Sequence, residues 1–101
     1  MANISVSNTG PTLGGAFSQY DISTTATLIK SASGVLYRVS VTTAGTTTGA
    51  IYDTNATGSV DASNLVAVIP EAVGVYEFIW PCQTGIVVVP GTSQVISVAY
   101  E

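Results

Sequence analysis

The chain is poor in charge and has no histidine. Only 8% of its 101 residues are charged, whereas an average globular domain has about 25%. Without histidine, Ser–His–Asp and Cys–His nucleophilic sites and zinc sites with imidazole ligands are excluded. The single cysteine, Cys82, excludes an intramolecular disulfide and a Cys-rich metal site. Lys30 and Arg38 are the only cationic side chains in a net charge of −4, so we expect no nucleic-acid partner and no anionic membrane partner.

The acidic residues leave one route to catalysis open. A pair of carboxylates, as in glycosidases, needs a cleft lined by sugar-binding groups, for which a chain of this length has little room. No phosphate-loop or dinucleotide-binding motif is present. We therefore expect a non-enzymatic protein without a cofactor. The carboxylates are Asp21, Asp53, Asp61, Glu71, Glu77 and Glu101.

Long hydrophobic runs are also missing. The amino terminus has no basic region followed by an apolar segment, so we expect no signal peptide and synthesis in the cytoplasm. The longest apolar runs, such as residues 86–89, are far too short to span a bilayer.

An aromatic segment, Gly74–Cys82, is the most distinctive stretch that is present. Tyr76, Phe78 and Trp80 alternate along it, which in a strand places all three on one face. Aromatic side chains bury large apolar areas, so this face is predicted to form the floor of the core.

Strand-like segments follow one another along the chain, separated by turn residues. This spacing predicts one all-β domain, a single antiparallel β-sandwich, jelly-roll-like or Ig-like, of about seven to eight strands. The strands at 25–30 and 35–43 are predicted to form an antiparallel hairpin. We place this domain at residues 20–101 and interpret residues 1–19, broken by Gly and Pro, as an extended N-terminal arm or a frayed terminus. The other predicted strands lie at 25–30, 35–43, 49–53, 64–70, 86–89 and 94–100.

Several apolar side chains are predicted to face outward, where they are covered either by loops or the N-terminal arm, or, as we favour, by another subunit. Arg38 and Glu77 lie on the outer faces of their strands and are predicted to pair. Apolar residues of the arm are predicted to anchor it on a neighbour. The candidate contact residues are Ile4, Val6, Leu13, Phe17, Arg38, Val66, Val68, Val75, Glu77 and Ile79.

The segment Asp53–Asp61 resembles the first half of a calcium loop. It has oxygen-bearing residues at alternate positions and Gly58 at the sixth. The twelfth position is Asn64 instead of the bidentate Glu, and no helices flank the segment. An ordinary β-loop is therefore the favoured interpretation, and we expect no metal site.

Several segments together resemble a small virion-associated protein family of tailed bacteriophages and prophages. They are Leu28–Val41, Gly49–Asp53, Asn64–Pro70, Gly74–Cys82 and Gly85–Thr92. The resemblance implies a capsid decoration (cement) or head-fibre protein on the capsid exterior, made in the bacterial cytoplasm. Its implied partners are the major capsid protein and copies of itself, as a homotrimer. The alternative is a tail-fibre or tailspike module that recognises host surface glycan. The resemblance carries over no catalytic residues.

Overall fold

The computed structural model describes residues 17–101. They form eight strands and two single-turn 3₁₀ helices, the latter at Thr57–Ser59 and Ala62–Asn64. None of the helices in this part of the chain is long and apolar enough to cross a membrane. The strands are β1 (Phe17–Ser23), β2 (Thr27–Lys30), β3 (Gly34–Thr43), β4 (Gly49–Tyr52), β5 (Leu65–Ile69), β6 (Gly74–Cys82), β7 (Ile86–Val89) and β8 (Val95–Tyr100).

The strands form two antiparallel sheets of four. Sheet A has the order β1-β8-β3-β6, and sheet B has the order β2-β7-β4-β5. Only β4 and β5 are both consecutive and hydrogen-bonded to each other, so every other connection passes from one sheet to the other. This strand order is that of an eight-stranded jelly roll. The predicted antiparallel β-sandwich is therefore confirmed, in the first of its two expected forms.

Aliphatic side chains from the inner faces of both sheets fill the core. Sheet A contributes Leu36, Val39 and Ile96, and sheet B contributes Ile51 and Ile86, all fully shielded from solvent. Each such side chain stabilises the fold by roughly 2 kcal/mol on burial. The core is thus made by branched aliphatic residues at alternate strand positions.

The predicted C-terminal boundary of the arm, residue 19, is wrong. Phe17, Ser18 and Gln19 belong to β1 and pair with β8 opposite Tyr100, Ala99 and Val98. Local sequence did not indicate this strand because a bulge at Tyr20 and Asp21 breaks its alternation, with Asp21 at a φ of 56°. The remaining arm, with Ile4, Val6 and Leu13, lies outside the described residues.

The predicted hairpin between β2 and β3 is also wrong. β2 pairs with β7 in sheet B, whereas β3 pairs with β6 and β8 in sheet A. The three-residue link 31–33 between them crosses the sandwich instead of folding back. The length of this link and its turn residues do not distinguish a hairpin from a crossing between the sheets.

The aromatic residues do not form the floor of the core. Tyr76 and Phe78 are half-buried against its margin, but Trp80 is 49% exposed. The register of β3 against β6 shifts at Tyr37, opposite Phe78 and Ile79, where Ile79 has a φ of 49°. Trp80 pairs with the buried Leu36 and so keeps the face of Tyr76, which pairs with the buried Val39. β6 is moreover an edge strand, where large side chains reach solvent.

One buried amide ties two turns of the sandwich together. Gln94 is fully shielded; its Oε1 accepts a hydrogen bond from Gly91 N at 3.0 Å, and its Nε2 donates to Pro70 O at 2.8 Å. The first bond closes the turn before β8, and the second holds the residue that follows β5. Both polar ends of a buried side chain are therefore satisfied.

We expect Gln94→Met to destabilise the protein by about 1–3 kcal/mol, because it keeps the volume and leaves two backbone groups unpaired. Urea unfolding followed by intrinsic fluorescence measures this change. Gln83→Met, the same substitution at an exposed side chain, serves as the control. An unchanged midpoint for Gln94→Met would contradict the structural role of the amide.

Candidate interaction surfaces

The outer face of sheet B is apolar across all four strands. One row of side chains crosses all four strands, and each of its residues is paired with the next. The row consists of Leu28, Val87, Tyr52 and Leu65. Paired residues point to the same side of a sheet, and the sequence neighbours Ile29, Ile51, Ile86 and Val88 fill the core. This row therefore faces away from the core. The next row along the same face is Val89, Ala50 and Val68.

These seven residues, which we call the B face, carry no charge. An antiparallel sheet with one wet face normally alternates apolar and polar residues. Here Val68 is 51% exposed and Leu65 is 43% exposed, while Val87 between Leu28 and Tyr52 is fully covered. Sheet B is therefore apolar on both faces, which is typical of a sheet covered by another molecule.

The structure separates two of the predicted contact residues on β5. Val68 is exposed on the B face as predicted, whereas Val66 packs against the core margin. The register of β5 against β4 shifts between Ala67 and Leu65, which places Val66 in a bulge. This extra residue turns Val66 inward and makes its predicted outward orientation wrong.

Exposed apolar side chains also occur along β6, at the lateral edge shared with β5, with the exposed carboxylate of Glu77 among them. We call Val73, Ile79 and Trp80 the β6 edge; they are 63%, 58% and 49% exposed. Four residues join β5 to β6, so both strands bound the same side of the sandwich. The exposed Val75 adjoins this edge on the outer face of sheet A.

Ile79 has an unusual backbone conformation for its residue type. Its φ of 49° is in the left-handed region, where a β-branched residue is a genuine outlier. The conformation costs roughly 1–2 kcal/mol. Because the side chain is largely exposed, burial within this chain does not repay that cost.

Arg38 and Glu77 are brought together as predicted. They are cross-strand partners in β3 and β6, with Nη1 and Oε2 3.8 Å apart. The Glu77 side chain is 65% exposed, and a solvated pair of this kind stabilises by less than about 1 kcal/mol. Within the isolated chain, the pair therefore acts mainly to fix the register of β3 against β6.

A shallow groove of about 180 Å³ crosses the outer face of sheet A. Small side chains of the two central strands, Ser40, Ser97 and Ala99, lie between Tyr20 on β1 and Val75 on β6. Tyr20 is 72% exposed, and its hydroxyl accepts a hydrogen bond from Ser18 Oγ at 2.9 Å. The groove differs from the B face in having hydroxyl groups and an exposed aromatic ring among its small side chains.

The segment that resembles a calcium loop uses its first carboxylate for another purpose. Asp53 Oδ2 accepts from Gln83 N at 2.8 Å, and Oδ1 accepts from the backbone N–H groups of Thr84 and Gly85 at 2.8 and 3.3 Å. Asp61 accepts from Ser63 Oγ in its own turn. Within residues 17–101 no three His, Cys, Asp or Glu side chains cluster as metal ligands would. Asp53 therefore holds the turn between β6 and β7.

Cys82 is a buried thiol next to this turn. Desolvation and the nearby Asp53 carboxylate raise its pKa to about 11. The thiolate is consequently scarce at neutral pH, and the side chain packs as a small apolar residue.

The sequence did not indicate Leu28, Tyr52 or Trp80 as surface residues. A signal for the first two was present in the uninterrupted apolar run of β7, Ile86–Val89. A central strand that is apolar at every position needs neighbours that are apolar on both faces. Comparison of the chain with protein-family models, curated proteins and solved structures gave no match.

Asp53 predicts a component of stability that depends on pH. Burial opposes its ionisation, but three backbone donors outweigh burial and hold the pKa of Asp53 below its ordinary value. Because the folded pKa is the lower one, ionised Asp53 stabilises the fold above the ordinary aspartate pKa, and this contribution is lost as pH falls through the lowered pKa.

We expect Asp53→Asn to destabilise the protein by about 1 kcal/mol at neutral pH, allowing for its partial exposure. The difference from wild type should shrink in acid. Urea unfolding across this pH range measures it, with Asp21→Asn at an exposed carboxylate as control. A difference that stays constant with pH would show that the carboxylate charge does not hold the turn.

Proposed function

We propose that this chain is a non-enzymatic structural protein of a tailed-phage virion that decorates the capsid exterior and cements neighbouring capsomers. Its partners are the major capsid protein and copies of itself in a homotrimer. The B face carries this proposal, because an uncharged, apolar outer face on a sheet that is already packed on its inner side fits a protein that works in an assembly.

Two further features support an assembly role. Jelly rolls are common among viral capsid and lectin domains, although a fold alone does not fix a function. The sequence segments Leu28–Val41 and Gly74–Cys82 resemble those of the virion-associated phage family. Fold and resemblance thus favour the same class of protein for separate reasons.

The proposed mechanism is additive. A small domain buries a modest area against the shell, and each contact contributes little free energy. Many copies bound at equivalent positions, each with several linked contacts, hold adjacent capsomers against internal pressure. A side-chain coat with few charges limits the desolvation cost of forming these contacts.

Co-sedimentation with capsids that lack the protein tests the proposal. We expect the full chain to sediment with the capsids and a chain lacking residues 1–16 to bind at least tenfold more weakly, because the arm is proposed to lie along the shell or a neighbour. Ending the deletion before Phe17 keeps β1 intact. Circular dichroism and urea unfolding confirm that the shortened chain is folded.

Failure of the full chain to sediment with capsids would overturn the decoration proposal. Equal binding by the shortened chain would overturn only the role of the arm. The two outcomes are separable because the first concerns the whole protein and the second a segment outside the sandwich.

A second candidate function, glycan recognition by a tail-fibre module, is favoured by the groove on sheet A. An exposed Tyr20 ring beside the hydroxyls of Ser18, Ser40 and Ser97 offers a stacking surface and hydrogen-bonding groups to a sugar. Under this candidate, the full chain binds surface polysaccharide on a glycan array and Tyr20→Ala binds at least tenfold more weakly. An array without hits would overturn it.

A further inference from the structure

We propose that the groove on the outer face of sheet A binds one uncharged pyranose ring of a polysaccharide, while the B face remains available to the capsid. The inference rests on the glycan-recognition candidate of the proposed function and gives its ligand class. It differs from that candidate in assigning the recognition to the capsid-decorating protein itself instead of to a tail fibre. Capsid and sugar then occupy opposite sides of one chain.

The shape of the groove limits the size of its ligand. Ser97 of β8 is paired with Ser40 of β3, and Ser40 is paired in turn with Val75 of the edge strand β6. Tyr20 stands on the opposite edge strand, β1. Small side chains in the middle and large ones at both edges make this face concave. The volume of about 180 Å³ is well below the roughly 300–1,000 Å³ of sites that enclose a drug-sized molecule. A single sugar ring, open to solvent on its outer side, fits this space.

The walls of the groove suit the apolar face of a sugar ring. Tyr20 and Val75 are both largely exposed, and Ala99 lies on a strand between them. A pyranose carries C–H groups on its two faces, and an aromatic ring with one side in water stacks on such a face. Removing these apolar surfaces from water stabilises the contact.

Hydroxyl groups in the groove supply matching polar contacts. Ser40 and Ser97 are half-buried, and neither hydroxyl has a hydrogen-bond partner among residues 17–101. Ser18 Oγ donates to the Tyr20 hydroxyl, which leaves the tyrosine proton for another acceptor. Protein hydroxyls both donate and accept hydrogen bonds, as the hydroxyls of a sugar do. The groove is therefore complementary to a ring that has an apolar face and a hydroxylated rim.

Charge selects an uncharged sugar over an acidic one. Of the described residues that line the groove, Arg38 alone is cationic, and its Nη1 lies 3.8 Å from Oε2 of Glu77. This carboxylate offsets the guanidinium charge, and the net charge of −4 repels an anionic ligand. Uronic and sialic acids are therefore poor ligands, and neutral hexoses are the expected class.

The groove and the B face lie on opposite sides of the molecule. One is on the outer face of sheet A and the other is on the outer face of sheet B, so both sheets and the core separate the two sites. Packed sheets lie about 10 Å apart. A chain attached to a shell through sheet B consequently presents the groove to the medium, where a polysaccharide can reach it.

Saturation-transfer difference NMR on the full chain tests the inference, because it detects the weak, millimolar binding expected of a single sugar ring. The probes are the methyl glycosides of glucose, galactose and mannose, with glucuronic acid and N-acetylneuraminic acid as acidic counterparts. We expect at least one neutral glycoside to bind and both acids to give no signal. Ser97→Val, which removes a hydroxyl and fills the floor, should weaken that binding by roughly tenfold or more. Ser59→Val, the same change at an exposed serine outside the groove, should leave it unchanged.

Sedimentation with capsids that lack the protein separates the two faces. Val68→Glu, on the B face, should bind the neutral sugar as the wild type does and bind capsids more weakly by roughly tenfold or more. Ser97→Val should show the reverse. Urea unfolding midpoints confirm that each variant is folded.

Binding of the acidic sugars alone would overturn the ligand class while leaving glycan recognition in place. Unchanged sugar binding by Ser97→Val would overturn the groove as the site, and loss of sugar binding in Val68→Glu would overturn the separation of the two faces. If no sugar binds, the inference fails, whereas sedimentation of the wild type with capsids still decides the decoration proposal.

Discussion

The hydrogen bonds of the Gln94 amide are the constraint on which one end of this sandwich depends. All connections except that between β4 and β5 leave one sheet for the other, so short-range hairpins contribute little to the fold. The chain has no disulfide to hold those crossings. Gln94 joins the turn before β8 to the residue after β5, and Asp53 secures the crossing from β6 to β7 in the same manner. Buried and half-buried polar side chains thus do here what cross-links do in other small β domains.

Close backbone approaches accompany these tethers. At Gly85, a β-carbon would collide with the carbonyl groups of Thr54 and Lys30, and at Gly91 with that of Thr47. Both glycines are fully buried beside the polar side chains that fix their turns. The crossings between sheets are therefore tight enough to require the absence of a side chain.

The sequence predicted strand positions well and strand partners poorly. The predicted bounds of β2 to β8 lie within two residues of the observed ones, because alternation and turn residues are local signals. Whether β2 turns back on β3 or crosses the core is decided by long-range packing, on which a three-residue link gives no information. Irregularities at Asp21 in β1, Tyr37 in β3 and Val66 in β5 each reverse the face of the residues that follow, and they leave no mark in the sequence pattern.

The same limits explain which surface residues were predicted. Val75 and Ile79 alternate with the aromatic residues of β6, and Val68 follows Ala67 in the alternating pattern of β5, so local pattern indicated their exposure. The B face as a whole emerges only from the order β2-β7-β4-β5, which aligns Leu28, Val87, Tyr52 and Leu65 in one row.

The apolar run of β7 connects the fold to the proposed assembly. In an isolated two-layer sandwich, its residues at alternate positions, Val87 and Val89, gain nothing from being apolar unless their outer side is covered. Leu28 and Tyr52 cover Val87 within the chain, and this leaves Leu65 and Val68 exposed at the margin. The exposed apolar surface of sheet B therefore lies at the edge of the sheet, on β5. A chain with so few charges satisfies this face most simply by burying it against another molecule, and this is the physical reason for proposing a role in an assembly.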